Sequence, residues 1–182
     1  LKYLGLNSEK VAPVVKALSQ LLADYQVFYA NLRGFHWNVR GKGFFMLHEH
    51  YEHLYNDTAN KVDEVAERIL QLGERPENRY SEYLKVSKLQ EDGFEREGRH
   101  ALERVLDTLK LLIEEERAVI ALANEANDDV TVSLMSDYLK GQEKLIWMLL
   151  SFLEKKRTDL LLKRVTHSSR VVLPSFCIEI RL

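Results

Sequence analysis

The chain has 182 residues, 46% hydrophobic and 30% charged, a balance that suits one well-filled core and disfavours a disordered segment. Only 8 Gly and 3 Pro leave few breaks for hairpins, so an all-β or collagen-like chain is disfavoured and long helices are expected. The formal net charge of −2 is unevenly spread: residues 155–182 carry seven Lys or Arg against Asp159 and Glu179, or +5, which leaves −7 on residues 1–154.

No apolar run approaches the roughly 20 residues of a membrane-spanning helix, and the polar-interrupted stretch from Leu1 to Gln26 is unlike a secretory leader, which predicts a cytoplasmic protein with no membrane partner. The first residue, Leu1, is not Met and points to a short missing N-terminal piece. The single cysteine, Cys177, cannot close a disulfide within the chain and excludes a Cys-type structural zinc site, so any metal must be held by His, Asp and Glu.

Asn7 or Ser8 caps a first helix in which Val11, Val14, Val15, Leu18, Leu21, Leu22, Tyr25, Phe28 and Leu32 recur at three- and four-residue steps; Pro13 is tolerated because it lies near the first turn. Gly41 and Gly43 punctuate, and Phe44 to Leu72 reads as a second helix ended by Gly73, with Pro76 just beyond. Residues 74–92 form a polar connection in which Ser81 to Ser87 is a candidate short helix. A third helix spans about Phe94 to Asn124 and is broken by Asn127-Asp128-Asp129; a fourth spans about Thr131 to Lys156. Four helices of this length, each near 40 Å at 1.5 Å per residue, predict an all-α four-helix bundle over 1–156. Residues 157–182 change character, with β-branched and apolar runs around Pro174, and read as a basic extension or a cloning or reading-frame artefact.

The second helix and the residues before it carry His36, His48, Glu52, Asp63 and Glu67, ligand types that suit iron, manganese or zinc. With His48 as zero, Glu52 falls at about 40°, Asp63 at about 60° and Glu67 at about 100°, all on one helix face. They cannot share one ion, because His48 and Glu67 are about 28 Å apart along the axis whereas ligands lie about 2 Å from a metal. The pairs His48/Glu67 and Glu52/Asp63 are, however, centred on the same point, between Asp57 and Thr58. Two copies of the helix packed antiparallel across a two-fold axis therefore bring His48 and Glu52 of one chain to Glu67 and Asp63 of the other, and make two equivalent sites. Ala59 is small enough for close approach there, and His36 can join from the side. His50 and His53 fall off this face and read as exposed residues; Glu114, Glu115 and Glu116 read as a solvated charge run, and Glu97-x-x-His100 as a chance half of a di-iron motif.

Phe35-His36-Trp37-Asn38, Gly43-Phe44-Phe45-Met46-Leu47-His48-Glu49, and Asp63-Glu64-Val65-Ala66-Glu67-Arg68 through Leu72-Gly73 together resemble the Dps family, ferritin-like proteins of starved bacterial cells, over roughly residues 5–155. The resemblance implies a hollow dodecamer of four-helix bundles with ferroxidase sites at two-fold interfaces, where Fe(II) is oxidised, preferentially by hydrogen peroxide, and stored as ferric mineral. It assigns His36, His48 and the acid at 52 to one subunit and Asp63 and Glu67 to its neighbour, with Zn or Mn as substitutes for iron. The family usually has Asp where this chain has Glu52. It also implies acidic three-fold pores before the last helix, for which Asp128, Asp129 and Glu125 are the candidates. Trp37 and Tyr55 are candidates to intercept stray oxidising equivalents, against an ordinary role in packing.

Two other functions compete. The basic tail suits a nucleoid-associated, DNA-compacting protein, since each cation that neutralises a phosphate releases counterions. A helical scaffold without chemistry would bind no metal on the His48 face.

Overall fold

The computed structural model describes residues 1–168, with side chains through Glu154. After a short 3-10 turn at Lys2–Leu4 come α1 (Ser8–Asn38), α2 (Phe44–Gln71), α3 (Tyr80–Val86), α4 (Gly98–Ala126) and α5 (Asp129–Ser168). Residues Leu1–Ile146 form one compact unit, in which α1, α2, α4 and the first part of α5 make a four-helix bundle. Trp147 begins a second unit, the continuation of α5, where the Ser151 hydroxyl donates to the Trp147 carbonyl at 2.8 Å. Among the described residues no helix is long and apolar enough to cross a membrane.

Asn7 caps α1 by accepting from the backbone N–H groups of Glu9 (2.9 Å) and Lys10 (3.1 Å). The helix runs through Pro13 and buries Val11, Val14, Leu18, Leu21, Leu22, Tyr25, Phe28 and Leu32, the stripe its period predicts. The connection from α2 to α4 is held to α1 by two buried polar residues two turns apart. Asp24 accepts from the Ser87 hydroxyl (2.7 Å) and the Lys88 N–H (2.6 Å), while Asn31 donates to the Gln90 carbonyl (2.9 Å) and accepts from the Asp92 N–H (2.8 Å). The short helix thus lies within a residue of its expected place.

Two helix ends differ from the sequence reading. The third long helix begins at Gly98, not Phe94, because the Glu97 carboxylate accepts from the Arg99 and His100 N–H groups and caps it there. That cap is the use to which the structure puts Glu97 in the apparent di-iron half-motif. Gly98 lies under the Leu47 side chain, whose Cδ1 would have to shift to admit a Cβ there. The last helix continues to Ser168, twelve residues past Lys156, since nothing between Arg157 and Ser168 is Gly or Pro and Leu160, Leu161 and Leu162 favour helix. Residues 169–182, with the run around Pro174, lie outside the described residues.

In the acidic run of α4, Glu114 is exposed as expected, but Glu115 is half-buried and Glu116 is not solvated at all. Glu116 is fully buried, in the same i, i+3, i+4 stripe as Leu109, Leu112, Ile113 and Val119. The Tyr25 hydroxyl (2.5 Å) and Gln142 Nε2 (2.7 Å) donate to its Oε1. Burial pushes its carboxyl up to about 7 against the opposing pull of those two donors. Burial likewise lifts Glu115 to about 7, although Lys88 Nζ lies 2.7 Å from it.

A carboxyl held above its unfolded value binds protons more tightly in the native state. These two groups therefore lower stability as pH rises from the ordinary carboxylate range through about 7, and the effect levels off above. The thermal midpoint of Glu116→Gln, which is never charged, should fall less steeply between about pH 5 and pH 7.5 than that of the wild-type chain. Parallel slopes in calorimetric scans would contradict this account of Glu116.

Candidate metal centre

His36, in the last turn of α1, and His48, in the second turn of α2, are brought face to face across the α1–α2 connection. Their rings stack with centroids 3.7 Å apart. His36 Nδ1 lies 2.8 Å from the His48 carbonyl and His48 Nδ1 lies 2.9 Å from the His36 carbonyl. A carbonyl oxygen only accepts, so each Nδ1 carries the proton, and the neutral ring is left with its lone pair on Nε2. This reciprocal lock fixes the orientation of both rings and leaves both Nε2 atoms available, as backbone carbonyls do for histidines at metal centres.

The lock has a local cause. The carbonyl of His36 is left without its usual helical partner because the Arg40 N–H turns away to the Arg96 carbonyl (3.1 Å), and the ring of His48 satisfies it instead. Phe44 also stacks on His48 (5.2 Å), and Tyr55 meets the His36 ring edge-on (5.4 Å). Tyr55 in turn contacts Tyr29 (6.0 Å). Trp37 is 60% exposed and lies against the Arg33 guanidinium rather than His36.

The three acids behave differently from the histidines. Glu52, Asp63 and Glu67 are exposed along α2 and have no hydrogen bond or ion pair among the described residues. Within one chain, and among the described residues, no three His, Cys, Asp or Glu come together closely enough to hold a metal ion. The structure thus brings His36 and His48 together and leaves Asp63 and Glu67 far down the helix. His53 is exposed, 3.9 Å from Glu49, but His50 is half-buried, contrary to its reading as an exposed residue. Burial, with His53 nearby, lowers the His50 pKa.

At the candidate pore, Asn127 takes a left-handed conformation (φ 56°) that closes α4 and turns the chain into α5. Asp128, only 1% exposed, has both oxygens engaged inside the chain: Oδ1 with Arg68 Nη2 (2.6 Å) and the Thr131 N–H (3.1 Å), Oδ2 with the Thr131 hydroxyl (2.6 Å). Asp129 and Glu125 are exposed.

Comparison with known proteins adds to this geometry. The ferritin-like domain family matches residues 15–158. The chain is 57% identical over 155 residues to a DNA protection during starvation protein of Porphyromonas gingivalis, covering 85% of this chain and 98% of that one. It is 34% identical to DNA protection during starvation protein 2 of Bacillus anthracis, covering 78% and 97%. Among solved structures, a Dps protein from Vibrio cholerae O1, described as a member of a superfamily of ferritin-like diiron-carboxylate proteins, superposes with a TM-score of 0.81 at 44% identity, covering 82% of this chain and 94% of that one.

Proposed function

We propose that this chain, which belongs to the Dps family of ferritin-like proteins, builds its iron site from two copies of α2 related by a two-fold axis. The protein is a ferroxidase of the iron-storage class, oxidising Fe(II) to Fe(III) in a dodecameric shell and protecting DNA from oxidative damage. One observation carries the site assignment: two histidines are locked with Nε2 free at one end of α2, and two unpartnered acids lie on the same face at its other end. An antiparallel partner supplies what each half lacks. Phe45, 86% exposed, lies on that same face, at the phase of Asp63, and gives the contact apolar surface.

In this reading His36, His48 and Glu52 of one subunit act with Asp63 and Glu67 of the next on the substrate Fe(II). Carboxylates favour the harder Fe(III) while neutral imidazole keeps affinity for Fe(II), so the site makes oxidation favourable. Hydrogen peroxide takes one electron from each of two Fe(II) ions and, with two protons, becomes two waters. Glu52 reaches about 1 Å further than an aspartate and alters the occupancy of one iron position without changing the ligand type. Zn or Mn compete for the same N and O donors. Exposed Asp129 and Glu125 are the acids that raise the local cation concentration at the entry pore, and Asp128 holds the turn beneath them. Anaerobic Fe(II) titration followed by limiting peroxide tests the chemistry: two Fe(II) consumed per peroxide supports it, and one per peroxide with free hydroxyl radical overturns it.

The charge asymmetry favours a second role in DNA binding. Residues 1–154 are formally −7 and repel phosphate, whereas the +5 segment beyond Glu154, whose side chains lie outside the described residues, repeats twelve times in a shell. Truncation after Glu154 should abolish the gel retardation of duplex DNA and leave iron oxidation intact. Retention of DNA binding by the truncated shell would assign it to the body.

A further inference from the structure

An open cavity of about 470 Å³ lies between α2 and α5, on the side of α2 turned away from the histidines. With His48 as zero, Asp57 falls at about 180° around the helix and Lys61 at about 220°, so a second chain on the His48 face does not close this one. The walls are apolar, formed by Phe28, Leu54, Leu109 and Leu145. The polar groups stand at two levels: Tyr25 and Gln142 are buried and belong to the inner wall, whereas Asp57 and Asp137 are exposed and mark the mouth.

The inner wall offers acceptors and lacks donors. Gln142, only 5% exposed, commits its Nε2 to the Tyr25 hydroxyl (2.8 Å) and to Glu116 Oε1 (2.7 Å). That fixes the amide and leaves Gln142 Oε1 with no donor among the described residues. Glu116 Oε2, on the buried carboxyl that Gln142 and Tyr25 both hold, has none either. A buried oxygen of this kind is costly until a donor reaches it, so the wall favours a ligand that brings N–H groups. At the mouth the Lys61 ammonium pairs with Asp57, while Asp137 has no cation partner among the described residues. No three His, Cys, Asp or Glu converge closely enough to hold a metal ion among those residues, so the cation that fits here is an organic ammonium.

We propose that this cavity binds an aliphatic diamine, with one ammonium donating to Gln142 Oε1 beside Glu116, the methylenes against the apolar walls, and the other ammonium at Asp137. The inference takes nothing from the ferroxidase reading. An alkylammonium carries three N–H donors and no acceptor, the complement of the inner wall. Its methylenes gain by leaving water for Phe28, Leu54, Leu109 and Leu145. A molecule charged only at its two ends matches an apolar shaft with acids at both ends. Gly141 keeps the shaft open: α5 passes the cavity there, and a Cβ on Gly141 would meet nothing within 4 Å.

The test is isothermal titration of the iron-free assembled protein with 1,4-diaminobutane at pH 8, where Glu116 is ionised. Saturable binding of one diamine per chain is expected. 1-Aminobutane, which lacks the second ammonium, should bind about three- to fivefold more weakly, the worth of one exposed ion pair. Asp137→Asn should remove that preference and leave the affinity for 1-aminobutane unchanged. Gly141→Leu fills the cavity and should abolish binding of both amines, and since leucine is the better helix former the loss cannot come from a weakened α5. If shells of that variant do not form, Asp137→Asn, an isosteric change at the surface, carries the test. A matched titration with sodium chloride separates the site from general attraction to the −7 body. Heats no larger than those of sodium chloride, equal affinity for the two amines, or binding that survives Gly141→Leu would each overturn the proposal.

Discussion

Removing His48 or Asp63 as alanine variants is expected to slow peroxide-driven Fe(II) oxidation at least about tenfold each, by deleting a ligand from opposite sides of one centre. The geometry of the chain makes the combination more informative than either loss. His48 is oriented through its own Nδ1 bond to the His36 carbonyl, and Asp63 stands exposed about 22 Å further along α2. In a two-chain site, an interface formed by one His48→Ala chain and one Asp63→Ala chain has both losses in one centre and none in the other. Randomly mixed shells then keep about a quarter of their centres intact, although every chain carries a lesion. Stopped-flow traces of co-assembled shells should therefore recover a fast phase absent from either parent. Mixed shells as slow as the parents would reject the shared site, and light scattering on the same samples checks that the shells have formed.

How far the sequence foretold this molecule depended on whether a residue's role is set by its spacing or by its neighbours in space. The α1 stripe from Val11 to Leu32 and the α2 face from His48 to Glu67 follow from the helical period, so the bundle was legible, and so was the shared face from which a two-chain site is proposed. The histidine lock was not, because its partners are backbone carbonyls that no side-chain pattern encodes. Glu116 was misread with its charged neighbours, although its position seven residues after Leu109 and three before Val119 marks it as part of the core stripe. That clue required weighing period above charge. Asp128 and Asp129 are adjacent and chemically alike, and the left-handed turn at Asn127 buries one and exposes the other.

The same turn gives the largest expected effect on stability. Arg68 of α2 is 5% exposed; its Nη2 meets Asp128 at 2.6 Å, its Nε donates to the Thr131 hydroxyl at 2.9 Å, and its Nη1 donates to Gln71 at 2.9 Å. One buried network thus joins the end of α2 to the start of α5. Arg68→Ala leaves the Asp128 carboxylate buried without its cation, and should cost about 3–5 kcal/mol. Asp128→Ala strands the guanidinium and also deletes the cap of α5, so its loss should be no smaller. Replacing both charges by Arg68→Met with Asp128→Ser removes the uncompensated charge and keeps a capping hydroxyl. The double variant should be much less destabilised than the sum of the single ones, which denaturant midpoints at fixed protein concentration will show. Additive losses would mean that the pair acts as two independent caps and that the charges do not depend on one another.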